Sequence, residues 1–427
     1  MKLKPQQKQL DFLDWEFGVF FHFGIRSFYP GHRDWDKKEM PISAFDPKEL
    51  DCRSWAKTVK KAGARYAILT AKHHDGFALW PTAYSEYSVA HAPWKNGKGD
   101  VVREFVDACR EEGLKVGLYY SPAQWGGSAV SFTEDKAYDD YFIGQISELL
   151  TNYGPIDYLW FDGAGSAGHE YDKPRIRAAI NSLQPGLLTF CDPDWAPGVL
   201  WVGNEDGFAP LDNPLEVNSW DFGEQGQSSG FLQKKCFLPR ECDCKMRNTW
   251  FYDQNEDTVK SLDELFGMYE GSVGRGANLL LDIGPDPRGL LPEKDSKRLL
   301  ELGEKIRRVY GDPVDLGPMK KSEEGTYTIT NEEDFANHDI FESPKVGLAN
   351  RVVLEEDLSE GQAVTSFILY AYLPYYRFAK IPVYQGYTIG HKCICPIPAI
   401  RSPRFELKIL SHNGEVKMRD MKAYYCE

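Results

Sequence analysis

Short apolar runs alternate with amphipathic stretches along the first three quarters of the chain. The apolar runs predict strands at 17–24, 65–72, 115–121, 157–163, 187–192, 199–203, 277–284 and, more weakly, 248–252. The amphipathic stretches predict helices at 46–63, 100–113, 134–152, 173–183, 261–272 and 292–309. Eight strands that alternate with helices favour a (β/α)8 barrel. An open, doubly wound sheet is the alternative, although no Gly-x-Gly-x-x-Gly turn follows the first strand.

Local signals place the ends of two of these helices. The order Asp, Pro, Lys, Glu at 46–49 combines a capping residue, a first-turn proline and a capping-box glutamate, and predicts that a helix begins there and ends at Gly63. Asp100 opens the next predicted helix, which stops at Gly113.

The last quarter of the chain has a different pattern. The stretch 311–327 is rich in proline, glycine and charge, and beyond it strand-like alternation continues with turns such as that at 412–414. We therefore expect two domains, a barrel over 1–312 and a C-terminal antiparallel β-sandwich over 313–427.

Composition narrows the classes of partner. The 427 residues carry a formal charge of -14, with no basic run to offset it, which argues against nucleic acid as a partner. No apolar stretch is long enough to cross a bilayer and the start lacks the features of a secretory signal, so we expect a soluble chain without a membrane partner. The compartment, periplasmic and secreted locations included, and the oligomeric state stay open.

The nine cysteines are scattered and odd in number, which does not indicate a disulfide framework. Two Cys-x-Cys pairs occur, Cys242 with Cys244 and Cys393 with Cys395. Their spacing is narrower than that of common zinc sites, so we expect no metal at either pair.

Strand alternation predicts which side chains enter the barrel, because successive residues point to opposite faces. With the apolar face packed under the helices, His22, Tyr119, Trp160 and Asp162 lie on inner faces. Barrel enzymes carry their reacting groups at the C-terminal ends of the strands. Asp162 ends its strand and is a candidate nucleophile or base; a helix cap or a loop salt bridge is the alternative.

Two adjacent histidines, His73 and His74, end the second predicted strand. Imidazoles donate to hydroxyl groups or bind metal ions. A hydrolytic metal centre needs further ligands at strand ends, and His22 and Asp162 could supply them. A metal-dependent hydrolase is therefore a rival interpretation of this cluster.

Several motifs resemble glycoside hydrolase family 29, the α-L-fucosidases. They are FGVFFHFG, TAKHHDGFALWPTAYSEYSV, KVGLYYSPAQW, YGPIDYLWFDG and VGRGANLLLDIGPDPRGLLP, in this order. The resemblance implies a barrel followed by a β-sandwich and makes Asp162, from WFDG, the nucleophile. It further implies that His22, His73 and His74 hold fucose hydroxyls. It assigns Tyr119 to the sugar site and places Trp35, in the RDW segment, over the sugar.

The second carboxylate is harder to assign. LWVGNEDGF resembles a segment of the subgroup that acts on α-1,3 and α-1,4 fucosyl branches, which makes Glu205 the general acid/base. KNGKGDVVREF and ECDCKMRNTWFY also resemble that subgroup, whereas Asp75 departs from some of its members. Glu241 is the second choice, and Glu216 and Glu224 follow it.

The sequence therefore predicts a retaining, exo-acting α-L-fucosidase that needs no cofactor and no metal. Asp162 and Glu205 are the catalytic pair, and Trp160 joins the sugar-binding residues because its ring lies beside Asp162 on the inner face. The expected partner is a fucosylated oligosaccharide or glycoconjugate. A non-catalytic fucose-binding protein is the other alternative, and the role of the C-terminal sandwich stays open.

Overall fold

A computed structural model describes residues 3–427 except 32–37, 39, 126–131, 133, 165, 167, 191–197, 221–229, 334–346 and 375. In the first part of the chain the helices are α1 (Gln7–Trp15), α2 (Cys52–Ala62), α3 (Val101–Glu111), α4 (Asp135–Asn152), α5 (Lys173–Leu183), α6 (Leu262–Ser272) and α7 (Glu293–Tyr310). The strands there are β1 (Phe17–Phe21), β2 (Tyr66–Lys72), β3 (Lys115–Tyr120), β4 (Tyr158–Phe161), β5 (Leu188–Phe190), β6 (Gly198–Trp201), β7 (Glu216–Trp220), β8 (Gly230–Phe237), β9 (Arg240–Lys245) and β10 (Ala277–Ile283).

Eight of these strands close into a parallel barrel. Their order around the barrel is β1, β10, β9, β6, β5, β4, β3 and β2, and the predicted fold class is confirmed. β7 and β8 form a separate antiparallel hairpin between the sixth and seventh barrel strands. Every strand that carries a predicted inner-face residue belongs to the barrel. Barrel enzymes have their active sites at the C-terminal ends of the strands, so we expect the functional residues at that rim of the barrel.

The seventh barrel strand differs from the prediction. The run 248–252 was expected to supply it, but β9 does so and pairs in parallel with β6 and β10. The sequence of β9, RECDCK, alternates charged and cysteine residues. Cys242 and Cys244 pack outward on the same face as Arg240, whereas Glu241, Asp243 and Lys245 face the interior. This reverses the usual polarity of a barrel strand, so the segment contains no apolar run.

One helix boundary and one whole helix also differ from the prediction. α2 begins at Cys52 rather than at Asp46, because the side chain of Asp51 accepts a hydrogen bond from the Ser54 amide at 2.9 Å and caps the helix. α1 was not predicted. It lies across the N-terminal end of the barrel, where the Phe12 carbonyl accepts a 2.7 Å hydrogen bond from the Asn278 amide.

Glycine makes room for large rings inside the barrel. A Cβ atom on Gly18 would lie 2.4 Å from Cζ of Tyr66, and one on Gly117 would lie 2.6 Å from Cγ1 of Ile68. Both glycines face inward, where alternating small and large residues fill the narrow interior. The fully buried Tyr66 ring can therefore cross the floor of the barrel.

The C-terminal part is built from antiparallel sheets, as predicted. Its strands are β11 (Lys320–Lys321), β12 (Tyr327–Thr330), β13 (Leu348–Glu356), β14 (Val364–Leu373), β15 (Tyr376–Gly386), β16 (Cys393–Arg401), β17 (Arg404–His412) and β18 (Met418–Tyr424). One sheet has the order β11, β12, β17, β14 and β15, and the other has the order β16, β13 and β18. None of the described helices is long and apolar enough to cross a membrane.

Charged and backbone contacts join the C-terminal sheets to the barrel. Arg351 donates to both carboxylate oxygens of Glu270, at 2.7 and 3.2 Å, and the Ile394 amide donates to the Gly274 carbonyl at 2.9 Å. Lys392 pairs with Glu16. Burial raises the pKa of Glu16, but His391 and Lys392 more than offset this and leave it at about 2. The Glu16 carboxylate therefore stays ionised where it contacts the C-terminal sheets.

Candidate active site

The C-terminal ends of β1 to β4 meet at one rim of the barrel. His22 follows β1, His73 and His74 follow β2, Tyr119 lies near the end of β3, and Asp162 follows β4. The four named imidazole and phenol rings are buried, whereas the Asp162 side chain is 26% exposed. The rim therefore forms a polar pit whose reachable anionic group is Asp162.

Asp162 receives hydrogen bonds from three directions. The Tyr119 hydroxyl donates to Oδ2 at 2.8 Å, His74 Nε2 lies 3.3 Å from the same oxygen, and the Ala164 amide donates to Oδ1 at 2.9 Å. Burial raises the pKa of Asp162, but the charge of His74 and these hydrogen bonds outweigh it and lower the pKa to about 2. The group is therefore a fixed carboxylate at neutral pH.

His73 and His74 are held in different ways. The His73 ring stacks on Tyr119 with centroids 5.5 Å apart and planes 10° apart. His74 Nδ1 is hydrogen-bonded to the Ser121 hydroxyl, and its ring lies 4.5 Å from that of Trp125. Burial lowers the pKa of His73 well below its usual value, so this imidazole is neutral. Both rings are therefore fixed in orientation before any ligand arrives.

His22 is held by a carboxyl group on the neighbouring barrel strand, β10. Its Nδ1 lies 2.7 Å from Oδ1 of Asp282 on β10. Burial lowers the pKa of His22 and raises that of Asp282, both strongly, so we regard the imidazole as neutral. With Nδ1 engaged, Nε2 is the nitrogen left for a ligand hydroxyl.

Aromatic residues that the sequence analysis had assigned to a strand form one wall of the pit. The Trp250 ring lies 4.9 Å from His22, and the Phe251 ring stands perpendicular to both His22 and His73 at 5.4 and 5.0 Å. The signal that could have found them is the position of this aromatic run directly after a barrel strand. Such rings can pack against the apolar face or methyl group of a sugar.

Trp160 lies lower in the barrel, as the floor of the pit. Its ring stacks on Phe190 with centroids 4.0 Å apart and on Tyr119 at 5.4 Å. Only 5% of Trp160 is exposed. The side chain therefore supports Tyr119 and Asp162 from beneath.

Glu205 lies in the loop that follows β6. Its Oε2 accepts a 2.6 Å hydrogen bond from Lys245 Nζ, and the Glu205 side chain is 32% exposed. Lys245 is the last residue of β9 and its ammonium lies 4.6 Å from the centre of the Trp250 ring. These contacts bring Glu205 next to the aromatic wall of the pit.

Glu241, the second choice for the acid/base, lies inside the barrel rather than at the rim. Its carboxyl group accepts hydrogen bonds from the Tyr66 hydroxyl at 2.6 Å, Trp160 Nε1 at 2.9 Å and the Tyr158 hydroxyl at 3.2 Å. It is fully buried, and burial raises its pKa to about 7. These contacts make Glu241 a support for the floor.

The remaining sequence candidates lie elsewhere. Glu216, on β7, accepts a hydrogen bond from the Leu3 amide at 3.1 Å. It pairs with Phe237, whose carbonyl accepts from the Gln9 side chain of α1, so it lies towards the N-terminal end of the barrel. Asp75 is engaged in its own turn, accepting from the Phe77 amide at 2.7 Å. Trp35 and Glu224 lie outside the described residues.

One group within the described part of the chain has the spacing of a metal site. Ligand atoms of His73, His74 and Asp162 all lie within 4.8 Å of one another. His22, which the metal interpretation also included, is not part of that group. Oδ2 of Asp162 is already engaged by Tyr119 and His74. Asp162 is thus already hydrogen-bonded by protein groups, whereas His73 stacks on Tyr119.

Comparisons with known proteins agree with this site. Residues 2–311 match the α-L-fucosidase family. Alpha-L-fucosidase 1 of Arabidopsis thaliana is 32% identical over 392 residues, which cover 86% of this chain and 76% of that protein.

Solved structures share the whole architecture. A glycoside hydrolase 29 family member from an unknown rumen bacterium is 32% identical, with a TM-score of 0.85 over 100% of this chain and 78% of that one. A Bacteroides ovatus protein proposed to be an α-L-fucosidase is 34% identical, with a TM-score of 0.86 over 99% of this chain and 74% of that one. The chain therefore belongs to the α-L-fucosidase family and is a glycoside hydrolase.

Proposed function

We propose that the protein is a retaining, exo-acting α-L-fucosidase in which Asp162 is the nucleophile and Glu205 the general acid/base. The observation that carries the proposal is the state of Asp162, a partly exposed carboxylate at a strand end whose pKa is lowered to about 2. A nucleophile must be ionised, and Tyr119 and His74 supply the hydrogen bonds that keep it so.

The chemistry follows from a pair of carboxyl groups on either side of a glycosidic bond. In retaining enzymes they lie ~5–5.5 Å apart, so that one can attack the anomeric carbon directly. Asp162 forms a bond to that carbon while the bond to the leaving oxygen breaks, and Glu205 gives its proton to this oxygen. Glu205 then takes a proton from water, whose oxygen displaces Asp162 and releases fucose.

Imidazole rings that are already held in place suit the recognition of a sugar. We propose that His22, His73 and His74 hydrogen-bond the fucose hydroxyls, because each ring is fixed by other partners before the sugar binds. The rings of Trp250 and Phe251 offer an apolar surface to the methyl group of fucose. We also propose, from the family resemblance, that Trp35 covers the sugar; this residue is not among those that the structure describes.

Removal of Glu205 gives the first test. We expect Glu205→Ala to lower kcat/KM on a fucosyl oligosaccharide about a thousandfold, within the range that loss of general acid catalysis produces. An aryl fucoside with a good leaving group needs little protonation, so its first step is less affected. Azide, which needs no general base, should restore turnover of the aryl substrate. Steady-state kinetics on the two substrates, with and without azide, provide the measurement.

Glu216→Ala is the matched control, because this glutamate lies away from the rim. We expect it to retain nearly full activity. Azide rescue of a Glu241 variant, with none for Glu205→Ala, would move the acid/base assignment to Glu241.

We also propose specificity for α-1,3 and α-1,4 fucosyl branches, which the resemblance of the 200–208 segment to that subgroup supports. A panel of α-1,2, α-1,3, α-1,4 and α-1,6 fucosides would test this. We expect the α-1,3 and α-1,4 compounds to have kcat/KM values at least about tenfold above the others, a ratio that a few altered contacts can produce. Equal rates across the panel would contradict the specificity but leave the catalytic pair untouched.

A further inference from the structure

The inner face of β9 carries three charged side chains at successive depths. Glu241, Asp243 and Lys245 are two residues apart and therefore share one face of the strand. Glu241 lies in the floor, Asp243 accepts from Trp201 Nε1 at 2.7 Å, and Lys245 reaches Glu205 at the rim. Burying the ammonium group of a lysine on the inner face of a barrel strand costs free energy unless other groups compensate its charge.

Lys245 contacts both Glu205 and the aromatic wall of the pit. Its Nζ donates to Oε2 of Glu205 at 2.6 Å and lies 4.6 Å from the centre of the Trp250 ring. Trp250 in turn packs against His22 at 4.9 Å. The Lys245 side chain is 22% exposed, so it is held between the ring and the carboxylate rather than extended into solvent.

Charged and titratable groups surround this pair from several elements. They are Asp243 on the same strand, Asp282 on β10, His22 after β1, Asp206 beside Glu205, and Lys260 and Arg247 beyond β9. Burial, followed by the charge of Glu205, raises the pKa of Asp243 well above its usual value, and burial also raises that of Asp282.

The two neighbouring cations are engaged elsewhere. Lys260 Nζ donates to the Lys245 carbonyl at 2.7 Å, and Arg247 is paired with Asp295 at 2.8 Å. Among the residues that the structure describes, Lys245 is therefore the cation in direct contact with Glu205.

We propose that Lys245 is a positioning residue for hydrolysis, which fixes the Glu205 carboxyl group at the rim and stabilises the negative charge that forms there when the leaving oxygen is protonated. The inference rests on the proposed role of Glu205. Lys245 acts through Glu205 and through Trp250, which its ammonium contacts on the opposite side.

Lys245→Met tests this role, because it keeps the length of the side chain and removes its charge. We expect kcat/KM on a fucosyl oligosaccharide to fall about 10- to 100-fold, and on an aryl fucoside by less, since general acid catalysis matters most for a poor leaving group. An adjacent cation favours the ionised form of a carboxyl group. Its removal should therefore move the alkaline limb of the kcat/KM pH profile to higher pH.

Two further variants make the test specific. Lys245→Arg keeps the cation and should return the alkaline limb to its wild-type position. Lys297→Met removes a lysine that is 76% exposed on α7 and should change neither the rate nor the pH profile. Thermal unfolding of each variant shows whether it is folded.

An alkaline limb that stays in place in Lys245→Met, or a loss that Lys245→Arg fails to reverse, would overturn the inference. Glu205→Ala, measured on the same two substrates, separates this from a failure of the proposed function. If Glu205→Ala lowered kcat/KM equally on both substrates, Glu205 would not be the acid/base. A normal Glu205→Ala result with an unshifted Lys245→Met profile would remove only the role of Lys245.

Discussion

Asp162→Asn should lower kcat at least about a thousandfold, equivalent to about 4 kcal/mol of transition-state stabilisation. The amide is a very poor nucleophile, yet it has the size of the carboxylate. Its single oxygen can still accept the hydrogen bond from the backbone amide of Ala164, while its NH2 group takes the place of the oxygen that faces the Tyr119 hydroxyl. We therefore expect the fold and its thermal stability to be nearly unchanged. Steady-state kinetics on an aryl fucoside and a thermal melt provide the measurements.

Asp139 offers a matched control for this substitution. It is also buried next to a histidine, with His169 Nε2 at 3.1 Å, but it belongs to α4 and accepts from the backbone amide of Asp172 just before α5. Asp139→Asn should retain most of the activity. If Asp162→Asn kept more than about one hundredth of the wild-type kcat, a loss below about 2.7 kcal/mol, Asp162 would not be the nucleophile.

Glu241→Leu should lower the free energy of unfolding by about 3–6 kcal/mol. The substitution removes the carboxyl acceptor of the Tyr66 and Tyr158 hydroxyl groups and of the Trp160 indole N–H, and each such loss costs about 1–3 kcal/mol. The upper end of this sum is reduced because Tyr66 keeps the Leu279 carbonyl as a second acceptor at 3.5 Å. Denaturant unfolding at pH 6 measures the loss. A change below about 1 kcal/mol would show that the carboxyl group does not organise the floor of the barrel.

The pH dependence of stability supplies the control for Glu241. Its pKa is about 7 in the folded chain against 4.5 for the free group, so the folded state binds the extra proton between these values. The free energy of unfolding should therefore fall by about 3 kcal/mol as pH rises from below 4.5 to above 7. Glu241→Gln keeps an acceptor but does not titrate, and it should lack this decline.

The sequence was most informative where strands alternate strictly. In β1, β3 and β4 the outward apolar residues are unambiguous, and they place His22, Tyr119 and Asp162 on inner faces, where the structure has them. The chain order of helices and strands likewise predicted the barrel and the C-terminal sheets.

The prediction of the seventh barrel strand was wrong, because the charged and aromatic residues of this region do not follow the usual barrel pattern. β9 has Glu241, Asp243 and Lys245 inside, so its pattern does not indicate a barrel strand, whereas the aromatic segment that follows it does. Lys245 and Trp250 were missed for the same reason. Their importance depends on contacts with Glu205 and His22, which are far away in the sequence and meet only when the barrel closes.

The contacts between the barrel and the C-terminal sheets have a consequence for protein engineering. The carboxylates of Glu16 and Glu270 belong to the barrel side, and their cationic partners Lys392 and Arg351 belong to the sheets. A chimera that takes its C-terminal sheets from another enzyme would bring together halves whose charges have not been matched. Such an exchange has to keep both partners of each ion pair. Otherwise Glu16 and Glu270 will lie at the interface between the barrel and the new sheets without a counterion.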